Sequence, residues 1–350
     1  MMSALAAFQN ASQGFALALF VCGVIASAAL TALARRYAMR RELLDLPGQR
    51  RSHALPTPRG GGVGPVAVLL IGGSLFVVSD YRTQPALGMC LLGLAMIAAI
   101  GWLDDHRPLP AWLRLVVHLG AALAASIALI GVPQTPLQIV LVLTGTGVVA
   151  GFVNAWNFMD GIDGLATSQA GLAAVVLLSG GWLTGAWWSL ALLLFAATLG
   201  FLPFNVPRAR IFLGDVGSGA LGFVVACLLL RAVVTGGVAW PVALLPASAF
   251  LIDAGMTLLL RIVRGKAWWW PHREHLYQWL VRSGRSHIHV AVCYALWTLA
   301  AGALAIGLAR SSPAVGGWIS SAALLSGCLL WMWLRNRLWM AARHRHRARR

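Results

Sequence analysis

Eleven stretches of about 18 to 22 residues run apolar on every face, at approximately 15 to 33, 62 to 79, 85 to 103, 113 to 131, 137 to 155, 164 to 181, 185 to 204, 217 to 235, 238 to 260, 288 to 309 and 315 to 334. Each is long enough to cross a roughly 30 Å hydrocarbon layer as a helix. Strands of a membrane barrel would instead alternate apolar and polar over about ten residues, so the pattern excludes them. It predicts an all-α polytopic membrane protein of about eleven transmembrane helices, built as one integral membrane unit across residues 1–350.

Composition agrees. Hydrophobic residues make up 59% of the chain and charged ones 11%, with a mean hydropathy of +0.77, a balance that excludes a soluble domain. The first apolar run has no Lys or Arg before it and Arg35, Arg36, Arg40 and Arg41 after it. That is the reverse of a signal peptide, so the run is expected to stay in the chain with its N-terminus outside. Eleven crossings then place the loops at 34–61, 104–112, 156–163, 205–216 and 261–287, and the tail from 335, on the cytoplasmic side. Those segments, with Arg114 at the mouth of the fourth helix, hold 24 of the 27 Lys and Arg, leaving Arg82, Arg231 and Arg310 elsewhere. The positive-inside rule therefore supports a cytoplasmic C-terminus.

The net charge of +17 and the tail "RHRHRARR" (Arg343 to Arg350) invite a nucleic-acid reading. No nucleic-acid fold accompanies them, and a basic tail beside a membrane helix binds anionic lipid headgroups. Most Trp residues read as interfacial anchors, with Trp268 to Trp270 on the membrane surface. The five cysteines all fall inside apolar runs without ligand spacing and read as small buried hydrophobes.

Only ten residues are acidic. Asp80 falls on the outer side, and Glu42 and Asp45 read as solvated charges of the first inner loop. The other seven are Asp104, Asp105, Asp160, Asp163, Asp215, Asp253 and Glu274; apart from Asp253, within the ninth run, each lies at or beside an inner helix end. Carboxylates near a membrane are costly, so their clustering predicts a site. Converging carboxylates repel one another unless a cation neutralises them, and oxygen-only ligands favour Mg²⁺ or Mn²⁺ over zinc. Arg59, His53, Arg208, Arg210, Arg273, His272 and His275 stand nearby as holders of phosphate oxygens. Metal, acids and cations together point to phosphoryl transfer on a substrate with several phosphates.

Each inner loop carries part of this chemistry. "DLPGQRRSHALPTPRGGGVG" (Asp45 to Gly64) permits close backbone approach to a ligand but lacks the Gly-Lys-Ser/Thr ending of a Walker motif. "GWLDDHRPLP" (Gly101 to Pro110) ends a helix with adjacent acids that oppose its dipole, and their proximity suits a proton acceptor. In "NAWNFMDGIDGLA" (Asn154 to Ala166), helix capping explains one Asp; two, with Asn154 and Asn157 beside them, predict a binding site. "FNVPRARIFLGDVGSGALGF" (Phe204 to Phe223) contains a GxGxxG pattern, but a membrane span follows it, so its glycines are expected to serve close helix packing and not a dinucleotide.

Taken in order, "PxPRGGG", "LDD", "NxxNFMDGIDGLA", "NxPxARIFLGDVGSGxLG" and "PHREHLYQWLVRSG" resemble the polyprenyl-phosphate N-acetylhexosamine-1-phosphate transferases, which initiate bacterial O-antigen, common-antigen and teichoic-acid chains. The phospho-MurNAc-pentapeptide translocase is a more distant relative. The resemblance covers a motif-bearing core of residues 45–285, ahead of the basic tail at 335–350. It implies Mg²⁺-dependent transfer (Mn²⁺ as the alternative) from UDP-N-acetylhexosamine to undecaprenyl phosphate, releasing UMP. By this similarity Asp215 is the main Mg²⁺ ligand, with Asp160 and Asp163 lining the same metal and nucleotide region. Asp104 and Asp105 serve the lipid phosphate, one of them as a base. Asn205 belongs to the nucleotide pocket, and Arg273 and His275 hold the diphosphate or sugar. Relatives read Asp-Arg-x-His-x-His-His where this chain has His272, Tyr277 and Gln278, a departure that points to a 6-deoxy sugar such as QuiNAc or FucNAc as an alternative to GlcNAc.

The lipid phosphate is already ionised near pH 7, so metal binding ranks above proton abstraction; direct attack and a two-step route through an aspartyl phosphate both stay open. A homodimer is also left open. Two rivals fit less well. A secondary transporter would place its acids at the midplane of two repeated halves. A CDP-alcohol phosphotransferase would continue "DGIDG" with further aspartates, but none follows Asp163 until Asp215.

Overall fold

A computed structural model describes residues 2–45, 56–79, 84–267 and 272–347, with side chains between 13 and 343. His53, Asp80, Arg82, Trp268 to Trp270 and the end of the basic tail lie outside the described residues. Helices form at all eleven apolar runs: α1 (Met2–Arg40), α2 (Val63–Ser79), α3 (Pro85–His106), α4 (Ala111–Ile130), α5 (Pro136–Met159), α6 (Leu165–Ser179), α7 (Gly185–Asn205), α8 (Asp215–Gly236), α9 (Trp240–Leu244) continuing into α10 (Ser248–Val263), α12 (His287–Leu308) and α13 (Pro313–Arg347). Between α10 and α12 lies a short helix, α11 (Leu276–Arg282). Among the described residues the strand content is one antiparallel pair, β1 (Leu44–Asp45) with β2 (Thr57–Pro58).

Among the described residues, nine helical segments are long and apolar enough to cross a membrane, with α9 and α10 counted as one segment from Trp240 to Val263. The other two, α2 and α6, are shorter, at 17 and 15 residues. At 1.5 Å per residue, α6 reaches only about 22 Å, because the glycine turn at Gly164 opens it and Gly180 and Gly181 close it. The ninth run, expected as a single helix, breaks instead: Pro246 cannot donate to the helical ladder, and a 3₁₀ turn at Leu245–Ala247 bridges the two halves. At the other extreme α13 has 35 residues, about 52 Å, and runs well past the hydrocarbon thickness.

The bundle wraps around α8, which packs against α2, α3, α5, α6 and α7 and is buried from Val216 through Leu230. The glycines of the GxGxxG pattern make this possible. A Cβ on Gly217 would lie 2.7 Å from the Cα of Gly62, and one on Gly222 would lie 2.5 Å from the carbonyl oxygen of Phe152 on α5. Outward-facing apolar residues, among them Ile25 and Leu33 on α1, Val116 on α4, Leu137 on α5, Leu296 on α12 and Trp318 on α13, are exposed, as a lipid-facing surface requires. The chain is a membrane protein.

The described parts of the loops assigned to the inner side are joined to one another by hydrogen bonds. The Gly-rich loop pairs with the segment before α8: Phe212 N donates to Pro58 O at 2.8 Å, Gly61 N to Phe212 O at 2.9 Å and Gly62 N to Leu213 O at 2.8 Å. Gly164 N donates to the Asn205 side chain at 2.8 Å, joining the turn after α5 to the end of α7. Tyr277 on α11 donates its hydroxyl to Phe158 O on α5 at 3.1 Å.

Candidate functional site

A cleft of about 280 Å³ opens where these loops meet. Its walls include Arg59, Asp105, Asn157, Asp160, Asp163, Asn205 and Asp215, all expected site residues, together with Asp45, Ser218, Gln278 and His287.

The centre of this wall is built by a crossing between helices distant in sequence. Asp105, in the last turn of α3 and 2% exposed, accepts hydrogen bonds from the backbone N–H groups of Asp215 and Val216, each at 3.1 Å. Those are donors that the first turn of α8 cannot satisfy within the helix. An acid that opposes the dipole of its own helix end is thereby stabilised at the start of another. Gly214 makes the approach possible: its φ is +76°, and a Cβ there would lie 2.5 Å from Asp105 Oδ2. With both oxygens engaged, Asp105 positions α8 and the Asp215 side chain that begins it.

Asp215 Oδ1 accepts from Asn157 Nδ2 at 2.6 Å, and the same amide donates to Ser218 Oγ at 3.2 Å. Asp215 Oδ2 lies 3.6 Å from Arg114 Nη1, whose stronger partner is Asp104 Oδ2 at 2.9 Å. Asp104 also accepts from Leu109 N at 2.6 Å, so its charge is spent on the α3–α4 turn and it does not line the cleft. Asp160, at the C-terminal end of α5, and Asp163, in the turn that follows, face the same space. Burial, and then the charges of Asp215, Asp105 and Asp163, push the Asp160 carboxyl up to about 8. Asp163 Oδ2 sits 3.3 Å from His287 Nδ1 at the start of α12. Arg59 brings the cleft a cation whose Nε is buried without a hydrogen-bond partner, an arrangement that suits an incoming phosphate oxygen.

Asn154, Arg210, His272, Arg273 and His275 do not line the cleft. Asn154 donates to Ala150 O one turn up its own helix at 2.8 Å. Arg210 folds back on its loop, donating to Pro203 O at 2.5 Å and stacking 5.2 Å from the Phe204 ring. His275 is 2% exposed and packs 4.9 Å from His272. Burial, then His275 and Arg261, lowers His272 to about 4, so it is neutral near pH 7. The carbonyl of Arg273 accepts from Arg282 Nη2. Asn205 lines the cleft, its amide accepting from Gly164 N and donating to Ile211 O at 3.1 Å.

Sequence reasoning did not single out Arg114, Ser218 or His287 as site residues. Arg114 reads as topology charge, and the available signal for His287 was its place at a predicted inner helix end. Gln278 is noted only as a departure from relatives.

Oxygen donors and unbalanced negative charge fit a hard divalent cation. Among the described residues no three Asp, Glu, His or Cys side chains converge closely enough to enclose an ion by themselves. Mg²⁺ does not need such a cage, since it keeps several waters and is held by one or two carboxylates together with substrate phosphates.

Residues 87–233 match the family described as glycosyl transferase family 4. The chain is 30% identical over 294 residues to a Bacillus subtilis protein named probable undecaprenyl-phosphate N-acetylglucosaminyl 1-phosphate transferase, covering 79% of this chain and 80% of the relative. It is 33% identical over 326 residues to the decaprenyl-phosphate N-acetylglucosaminephosphotransferase of Mycobacterium tuberculosis, covering 79% and 78%. A Salmonella typhi relative named undecaprenyl-phosphate alpha-N-acetylglucosaminyl 1-phosphate transferase is 29% identical over 341 residues, covering 91% and 90%.

Proposed function

The chain belongs to glycosyl transferase family 4 and is a phosphoglycosyltransferase, and on that premise we propose that it transfers N-acetylhexosamine 1-phosphate from a UDP-sugar to undecaprenyl phosphate. The observation that carries this reading is the cleft, where Asp105, Asp160, Asp163, Asp215 and Arg59, contributed by four separate loops, meet at one end of a membrane bundle. A lipid phosphate lying at the membrane surface can reach that end without leaving the bilayer.

In the proposed reaction a phosphate oxygen of the lipid attacks the β-phosphorus of the donor in line. A new P–O bond forms, the bond from β-phosphorus to the bridging oxygen breaks, and UMP leaves with that oxygen. The acceptor is already ionised near pH 7, so no side chain has to remove a proton. Asp215, with Asp160 and Asp163 lining the same space, would hold Mg²⁺ together with the donor's phosphate oxygens, and the ion when bound would neutralise the diphosphate as negative charge shifts to the leaving group. Asn157 fixes the Asp215 carboxylate by its hydrogen bond, and Asp105 fixes the backbone from which Asp215 projects. Arg59 supplies a positive donor to phosphate oxygens, and Arg114 balances Asp104 beside Asp215. His287, 3.3 Å from Asp163, holds that side chain in one orientation. The basic inner loops support an active site on the cytoplasmic face of the bacterial inner membrane, where the product would start an O-antigen or related chain.

Metal removal tests this reading. Purified protein in detergent, given undecaprenyl phosphate and a panel of UDP-N-acetylhexosamines that includes 6-deoxy sugars, should release UMP and form a lipid-diphosphate-sugar of matching mass. Excess EDTA should reduce UMP release to background, Mg²⁺ should restore it, and Zn²⁺ should not. Full turnover in excess chelator would rule out the metal role.

A further inference from the structure

Asp253 lies inside the span formed by α10, is 1% exposed, and has no task in the reaction proposed above. A carboxylate at that position is costly, and it persists where it is fully satisfied and has work to do. Its two oxygens collect five donors from four helices. Oδ1 accepts from Leu276 N at 2.7 Å, Trp331 Nε1 at 2.9 Å and Thr257 Oγ1 at 3.3 Å. Oδ2 accepts from the Tyr294 hydroxyl at 2.7 Å and Tyr277 N at 3.2 Å. Thus α10 holds the first two backbone donors of α11, and α12 and α13 each add a side chain.

The element held is too short to persist alone, since α11 has seven residues. A second staple secures the approach to it. Glu274 pairs with Arg261 at 2.6 Å, Lys266 at 2.9 Å and Arg335 of α13 at 3.7 Å. What α11 presents in turn is the wall of the cleft. The Tyr277 hydroxyl, besides its bond to Phe158 O, accepts from Gln278 Nε2 at 3.1 Å, and Gln278 lines the cleft. That hydroxyl also fills the space beside Gly161, where a Cβ would lie only 2.0 Å from it. Asp160 stands between Phe158 and Gly161. One buried acid therefore connects the last helices of the bundle to the backbone that carries a cleft carboxylate.

We infer that Asp253 is a positioning residue: it fixes α11 so that Tyr277 and Gln278 shape the cleft wall beside Asp160, and through it α12 and α13 set how the donor diphosphate is held. The inference rests on the reading of the cleft as the donor's site. Asp253, α11, Tyr294 and Trp331 all lie outside residues 87–233, the stretch that matches the family model.

The test uses the full-length protein in detergent with two variants, Asp253→Asn and Tyr277→Phe. Asp253→Asn removes the charge that the buried donors share, and amide hydrogen exchange at Leu276 and Tyr277 should speed up by about tenfold or more, with α5 and α8 unchanged. The same variant should raise the KM for the UDP-sugar by about fivefold or more, in line with the roughly tenfold weakening that losing one buried hydrogen bond can bring, while the KM for undecaprenyl phosphate stays the same. Tyr277→Phe, which keeps the ring and the clamp, should reproduce the donor KM shift, and it carries the test if Asp253→Asn does not fold. Unchanged exchange at Leu276 and Tyr277 in a folded Asp253→Asn would overturn the clamp. Unchanged donor KM, with kcat reduced only in proportion to the folded fraction, would reduce Asp253 to a structural anchor and overturn the positioning role. Exchange is read without substrate, so a wild-type protein inactive on every UDP-sugar would count against the proposed reaction while the exchange result still judged the clamp.

Discussion

Asp215→Asn is expected to cut UMP release by at least about a hundredfold, because removing even an indirect partner of a metal site costs about 10- to 100-fold and this carboxylate is proposed to touch the ion. The substitution is nearly isosteric. The backbone of residue 215 keeps its bond to Asp105, and Arg114 keeps its closer partner, Asp104. The Asn157 amide can still find a side-chain oxygen at position 215. The loss should therefore be one of charge, with the bundle intact, and the measurement pairs UMP release with thermal unfolding in the same detergent. Wild-type turnover in the folded variant would refute the assignment.

Asp160→Asn should give the second large loss, again about a hundredfold in UMP release by the same reasoning, with an opposite effect on stability. The carboxyl of Asp160 is pushed up to about 8 by burial and by Asp215, Asp105 and Asp163. A raised pKa means that the folded protein binds this proton more tightly than the unfolded chain does. Its contribution to stability is fully present below the unfolded value near 3.8 and is lost as pH rises through about 8. The neutral amide escapes that loss. In EDTA the variant should unfold at a higher temperature than wild type at pH 8, with little difference at pH 4, the trade of stability for activity expected of a functional carboxylate. Equal unfolding temperatures at pH 8, or a destabilised variant, would show that the cleft charges are not in conflict.

The layout of the molecule was legible because its signals are local. Eleven apolar runs became helices, and the short polar loops between them carried the acids. The cleft could be read from the same pattern, since Asp105, Asp160, Asp163 and Asp215 each sit at an inner helix end. What the sequence does not display is which partner uses each charge. Asp105 and the start of α8 are 110 residues apart, and no local rule says that an acid ending one helix will cap another. Asp104, adjacent to Asp105, turns instead to Arg114. Arg114 itself was counted for topology, because a single Arg at a helix mouth looks the same whether it meets water or a carboxylate. The short helix α11 escaped for a different reason. Seven residues are too few to show a helical period, and its stability comes from Asp253 in a different apolar run.

The glycines divide along the same line. The GxGxxG pattern suggested close packing from composition alone, and Gly217 and Gly222 do sit against backbone atoms of other elements. Gly161 gave no such hint, because its constraint is the hydroxyl of Tyr277, more than a hundred residues away in the chain. Residues whose purpose depends on a distant partner are the ones a linear reading leaves unassigned.

The central claim is that a phosphate of the donor, and not the sugar alone, passes to the lipid. Its most direct test is a donor labelled with ³²P at the β-phosphorus, incubated with purified protein, undecaprenyl phosphate and Mg²⁺. All transferred label should appear in the lipid product, with unlabelled UMP released in equal amount. Label retained in released UDP, or lipid that gains sugar without label, would contradict the account.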